Sequence, residues 1–196
     1  ERRHQREGDR GLAGVRVFGI DPGSARTGYG CIDADGSRCR LVAFGAITAS
    51  PRLPFPDRLT RIFDELTALL AANRPTCVAV EGVFSARNAS SALKLGQARG
   101  AALVAASKAG LQVAEYAPSE VKRAVVGYGR ADKQQVQQMI MLLLGLDAPP
   151  TPHDASDALA IAVCHAHTAG GTIALSAKPA GQVPRSWRRY RPEARR

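Results

Sequence analysis

The sequence predicts an α/β fold: a mixed sheet of five strands with helices on its faces. Three observations lead there. Three apolar runs near the start are joined by hairpin-length links, later strand-like runs alternate with helical patterns, and 45% of the 196 residues are apolar. That apolar share suits a globular chain with one core and excludes full disorder.

The elements follow in order. Residues 15–20 (Val-Arg-Val-Phe-Gly-Ile) form a strand-like run ended by Asp21-Pro22-Gly23. Residues 28–32 and 41–47 are the next two strands, with Asp35-Gly36 as a hairpin turn between them. Leu59, Ile62, Phe63, Leu66, Leu69 and Leu70 recur at three- and four-residue spacing, which predicts an amphipathic helix over 57–72. A fourth strand at 77–80 closes on Glu81-Gly82, and an Ala-rich helix covers 88–109. A fifth strand at 113–116 stops before Pro118, and helices follow at 119–126, 132–144 and 154–168. From Gly170 the periodicity stops and Gly, Pro and Arg accumulate. The expected organisation is one folded domain over 15–170, a flexible extension over 1–14 and a basic, disordered tail over 171–196.

Composition narrows the function classes. The chain holds 27 Lys+Arg against 17 Asp+Glu, a net charge of +10. Residues 171–196 account for +6 of it, with seven basic side chains and the single acid Glu193. A basic tail on a mildly basic body fits a polyanionic partner, nucleic acid being the commonest, and fits a merely solvated tail equally well. No window approaches the roughly 18–20 uncharged apolar residues of a membrane span, so no membrane association is expected. Residues 1–10 are charged throughout and lack an apolar leader, so secretion is not expected either. Cys31, Cys39, Cys77 and Cys164 form no CxxC pair and read as reduced thiols in a cytoplasmic protein.

The chemistry lies in the carboxylates. Asp21 and Glu81 each stand at the carboxyl end of an apolar strand, where ligand sites of open α/β sheets gather. Each also has a plain structural explanation, Asp21 as a turn former and Glu81 as the first solvated residue past its strand. Thr151-Pro152-His153-Asp154 has the form of a helix-opening capping box, which would explain Asp154 as a helix-start acid. Asp157 is harder to dismiss, because nearly all its neighbours over 155–164 are apolar. A carboxylate there needs a partner or a cation, and the i, i+3 spacing puts it on one face with Asp154. Four converging acids would repel one another, an arrangement that suits hard divalent ions such as Mg²⁺ and phosphoryl displacement. By contrast, His165 and His167 beside Cys164 point apart on a helix and do not form a metal cluster.

Several blocks, in order, resemble the RuvC family of Holliday junction resolvases. They are Phe18-Gly19-Ile20-Asp21-Pro22-Gly23-Ser24, then Glu81-Gly82-Val83-Phe84, then Ser91-Ala92-Leu93-Lys94-Leu95-Gly96-Gln97-Ala98-Arg99-Gly100. Val121-Lys122-Arg123, Val125-Val126-Gly127, Asp132-Lys133 and Asp154-Ala155-Ser156-Asp157-Ala158-Leu159-Ala160 continue the match. The blocks at 91–100 and 154–160 are the specific ones, since other ribonuclease-H-like folds also open with Asp-Pro-Gly.

The resemblance implies a ribonuclease-H-like fold, a homodimer, and metal-dependent nicking of two opposed strands at four-way junction DNA, leaving 5′-phosphate and 3′-hydroxyl ends. It implies that Asp21, Glu81, Asp154 and Asp157 are catalytic and hold two Mg²⁺ ions, with Mn²⁺ able to substitute. Phe84 matches an aromatic that stacks on an unpaired base, and Lys122 and Lys133 match basic residues near the scissile phosphate. Arg87 and Asn88 are further candidates for DNA-backbone contact. The branch-migration proteins RuvA and RuvB are implied partners. Ala92, Gly96 and Gly100, four apart, make a small-residue face that fits a dimer seam or burial on the chain's own sheet. The chain departs from the family at Gly82, where Gln or Arg is common, and some relatives carry His in place of Asp154. The rival readings are a ribonuclease-H-like nuclease on RNA–DNA hybrid or structured RNA, a non-catalytic junction binder, and an actin-like ATPase. The first is disfavoured by Phe84 and the small-residue helix, the second by the retained acids, and the third by length.

Overall fold

Alternation along the first strand decides the architecture. In β1 (Val15–Asp21), Val17 and Phe18 are buried on opposite faces, so both faces of the sheet must be covered. β1 pairs antiparallel with β2 (Arg26–Asp35), which turns at Gly36 (φ 57°) into antiparallel β3 (Arg38–Thr48). β4 (Cys77–Glu81) lies parallel to β1 on its other side, and β5 (Gln112–Tyr116) parallel to β4. The five-stranded order is β3-β2-β1-β4-β5. The computed structural model of the chain describes residues 14–82 and 89–172. Among them no helix is long and apolar enough to cross a membrane.

Two helices cover one face. α1 (Phe55–Asn73) buries Arg58, Ile62, Leu66 and Leu70, a strict i, i+4 stripe. Each apolar member contributes about 1.5–3 kcal/mol by leaving water. α2 (Ala89–Lys108), the crossover between parallel β4 and β5, buries Ala98, Ala102, Ala105 and Ala106. Both pack on Phe18, Ile20, Cys31, Val78 and Val80. The other face carries α3 (Pro118–Val126), α4 (Lys133–Leu143) and α5 (His153–Thr172) over Val17, Ile32 and Ala79.

α5 lies against the strands with almost no space between them. A Cβ at Gly19 would overlap the Ala158 carbonyl, and one at Gly28 would overlap the Asp154 carbonyl. Only glycine at these two positions lets the helix backbone touch the sheet. Ala155, Ala158 and Ala162 are fully buried, in keeping with that approach.

All ten expected elements are present, with corrections at their ends. β2 and β3 run past the apolar cores at 28–32 and 41–47, because the ladder continues through polar rungs such as Asp33↔Arg40 and Asp35↔Arg38. Asp33 bridges Arg16 (2.6 Å) and Arg40 (2.6 Å), which holds the polar end of the hairpin together. α5 continues to Thr172, four residues beyond the expected 168. Its opening also differs from the expected capping box. The Pro152 carbonyl accepts from Ala155 N–H (3.0 Å) and Ser156 N–H (3.3 Å), so the cap falls on Pro152 rather than Thr151. Phe84, Arg87 and Asn88 lie outside the described residues, as do 1–13 and 173–196.

Candidate active site

Side-chain parity gathers the acids. Residues 17, 19 and 21 of β1 and 77, 79 and 81 of β4 share the face under α5, so both strands deliver their terminal carboxylates to the same side. The last rung between them is Ile20↔Val80, one residue short of Asp21 and Glu81. Asp21 also pairs with Gly28 on β2, and Gly28 lies directly beneath the Asp154 backbone. The same glycine contact therefore brings the first turn of α5 over the end of β1.

Asp21, Glu81 and Asp157 line one open cleft of about 290 Å³ with Pro118, Val121, Lys122, Lys133, Val136 and Ala160. Asp154 sits at its edge, ion-paired to Arg26 (Nη1–Oδ2, 3.3 Å). Lys133 reaches Asp157 (Nζ–Oδ2, 3.2 Å). Its place is set locally: Asp132 caps α4 by accepting from Gln135 N–H (2.8 Å), while the Gln135 side chain accepts from Asp132 N–H (2.9 Å). Lys133 is therefore the first residue of α4, aimed back at the cleft. Lys122 arrives on α3, whose first turn closes when Glu120 accepts from Ala117 N–H (2.7 Å).

The electrostatics are those of crowded carboxylates. Burial, reinforced by Glu81, Asp157 and Asp154, pushes the Asp21 carboxyl up to about 8. Burial and then Asp157 raise Glu81 as well, with Lys133 and Lys122 opposing. Asp157 in turn holds the Lys133 ammonium above its ordinary range. Four hard oxygen donors whose mutual repulsion is only partly offset by lysines fit a hard divalent cation. Among the described residues no three such side chains are grouped closely enough to hold a metal ion as they stand; Asp157 pairs with Lys133 and Asp154 with Arg26.

Of the nine site residues expected from sequence, the structure brings Asp21, Glu81, Asp157, Lys122 and Lys133 together and sets Asp154 beside them. The other three lie outside the described residues. Sequence reasoning missed Arg26, whose partner is 128 residues away, and the glycines that seat α5. Gly19, Gly28 and Gly30 on period-two positions were the available signal.

A five-stranded mixed sheet with acids at two central strand ends and on the closing helix defines a ribonuclease-H-like nuclease core. Residues 17–165 match the family model for crossover junction endodeoxyribonuclease RuvC. The chain belongs to that family. A crossover junction endodeoxyribonuclease RuvC from Geobacter sp. (strain M21) is 58% identical over 159 residues, covering 81% of this chain and 96% of the relative. One from Pelobacter propionicus is 53% identical over 178 residues, covering 91% and 100%. The solved structure of Thermus thermophilus RuvC in complex with a Holliday junction substrate superposes with a TM-score of 0.77 at 40% identity, covering 80% of this chain and 96% of that one.

Proposed function

We propose that the chain is a structure-selective, metal-dependent endonuclease that resolves Holliday junctions by nicking two opposed strands symmetrically. The observation that carries this reading is the cleft in which Asp21, Glu81 and Asp157 meet Lys122 and Lys133. Kinship with a RuvC solved on a junction supports the substrate.

In this reading Asp21, Glu81, Asp154 and Asp157 hold two Mg²⁺ ions, for which Mn²⁺ substitutes. Bound there, the ions supply Lewis-acid stabilisation of the phosphoryl oxygens and acidify a water. The chain's own part is positioning. Asp21 and Glu81 are fixed on adjacent strands and so keep their spacing rigid. Asp157 and Asp154 ride on α5, which the glycine contacts pin to the same sheet. Lys122 and Lys133 face the scissile phosphate and offset its charge, so that anionic DNA can enter an acidic site. Phe84 stacks on a base at the opened crossover, worth about 1–3 kcal/mol, while Arg87 and Asn88 touch the backbone. No covalent enzyme intermediate is required, and the products carry 5′-phosphate and 3′-hydroxyl ends.

The working unit is a homodimer acting in the cytoplasm with RuvA and RuvB. A C2 dimer offers two identical sites to the two equivalent strands of a junction. The small-residue face of α2 supports this seam, since among the described residues a Cβ at Gly96 or Gly100 would meet nothing within 4 Å and Leu93 and Val104 beside them are exposed. The nuclease domain takes in residues 15–172, to the end of α5, and the basic segment follows it.

The test is a nicking assay on an immobile four-way junction, with Mg²⁺ or EDTA, beside linear duplex and RNA–DNA hybrid. Paired, metal-dependent nicks on the junction alone are expected. Cutting of the hybrid in preference to the junction would overturn the substrate. Asp21→Asn should abolish cutting while junction binding persists, and normal cutting by that variant would remove the carboxylates from the mechanism.

A further inference from the structure

We propose that Arg99 is a positioning residue for Glu81, gripping the end of its strand from the side of the sheet opposite the cleft. Arg99 is on α2, and its side chain is only 19% exposed. Its Nε donates to the Glu81 carbonyl (3.3 Å) and its Nη2 pairs with Glu115 Oε2 (2.5 Å). One guanidinium fork thus ties a helix to the ends of two parallel strands. Arginine's planar, fixed donor geometry suits that bridging where lysine's single ammonium would not.

The side on which Arg99 works follows from parity. Val113 of β5 packs with α1 and α2, so Glu115, two residues on, projects to that side as well. The Glu81 side chain projects the other way, into the cleft, from which Arg99 is absent. Arg99 therefore holds main chain and does not touch substrate. β5 already pins the neighbouring backbone, where Gly82 N–H donates to the Tyr116 carbonyl (2.8 Å). That bond fixes the strand laterally, while Arg99 fixes it against α2. Without the second tie the last peptide of β4 is free to tilt, and the Glu81 carboxylate at its tip moves with it. A displacement near 1 Å costs on the order of a hundredfold in rate where geometry carries the chemistry.

The inference rests on the nuclease reading above, and the experiment separates the two. Full-length Arg99→Ala, Arg99→Lys and Glu115→Gln are compared with the wild-type chain by three measurements: single-turnover nicking of a four-way junction against Mg²⁺ concentration, junction affinity in EDTA, and the Tm upshift given by Mn²⁺ without DNA. Arg99→Ala is expected to nick about 10–100-fold more slowly, with junction affinity within about twofold. Its midpoints for Mg²⁺ in nicking and Mn²⁺ in melting should both rise several-fold. Arg99→Lys, which keeps a donor for the carbonyl, should recover part of both, and Glu115→Gln should fall between. Nicking rate and metal midpoints of Arg99→Ala within about twofold of wild type would overturn the proposal. So would a loss explained wholly by a lower metal-free Tm that Arg99→Lys does not relieve. A wild-type chain that fails to nick would count against the resolvase reading, and the Mn²⁺ midpoint alone would then decide Arg99.

Discussion

Asp21 is where three carboxylates press hardest on a fourth. Its carboxyl, pushed up to about 8 chiefly by burial, sits some four units above its value of about 3.9 in an unfolded chain. Between those two values the folded state binds the extra proton, so stability from this group is full below about pH 4 and is lost as pH rises through about 8. Asp21→Asn removes the titration. In EDTA the variant should match wild type near pH 4 and melt higher at pH 8. Four units at 1.36 kcal/mol each would be roughly 5–6 kcal/mol, and partial solvation of the cleft cuts the expected gain to about 1–3 kcal/mol. At about 2–4 °C per kcal/mol that is several degrees, measurable by scanning calorimetry across the pH range. A gain that persists undiminished at pH 4 would mean that a change in packing, not charge, produced it. Asp33 runs the other way. Its bond to Arg16 holds its carboxyl below the usual range, so the contribution of that pair is present above about pH 4 and fades in acid.

At the scale of elements, two helices use small residues for opposite ends, and alanine substitution separates them. Gly28→Ala places a Cβ on the Asp154 carbonyl of α5, so it should cost about 1–3 kcal/mol or more and lift α5 from the sheet. Nicking should fall with it, even where the protein still folds. Gly96→Ala and Gly100→Ala meet nothing within 4 Å among the described residues, and each should stabilise the monomer by about 0.5–1 kcal/mol through helix propensity. If α2 is the dimer seam, the same substitutions weaken self-association in sedimentation experiments. Unchanged association would move the seam elsewhere. This contrast also marks how far elements were legible in the sequence. Apolar periodicity located all ten because each buries a stripe or an alternating face. It missed the outer halves of β2 and β3, where charged rungs such as Asp33↔Arg40 replace apolar ones. It could not show which glycines face a neighbour, since Gly28 and Gly96 look alike until α5 is laid on the sheet.

For the molecule as a whole, the site was legible to the extent that it obeys local rules. Strand-end acids and a carboxylate in an apolar helix stand out in one dimension, so Asp21, Glu81 and Asp157 could be marked as candidates, and the resemblance to the family chose the functional reading over the structural one. Arg26 on Asp154 and Arg99 on the Glu81 carbonyl were not, because each pairing joins distant segments through a contact no periodicity encodes. Charge behaves differently again, since it acts at a distance and is read directly from composition. The body from 15 to 170 is close to balanced, whereas residues 171–196 carry +6, so most of the long-range attraction to DNA should come from that segment. Each of its basic side chains that neutralises a phosphate steepens the fall of log affinity with log salt by about 0.9. Deleting 171–196 should therefore weaken junction binding most near about 50 mM salt, and the two binding curves should converge by about 200 mM, where counterion release counts for less. The residues that line the cleft all lie before 171, so single-turnover nicking at saturating protein should keep its rate. Junction affinity that is unchanged at low salt would show that the +6 segment does not meet phosphate, leaving Lys122, Lys133 and the rest of the folded body to hold the DNA.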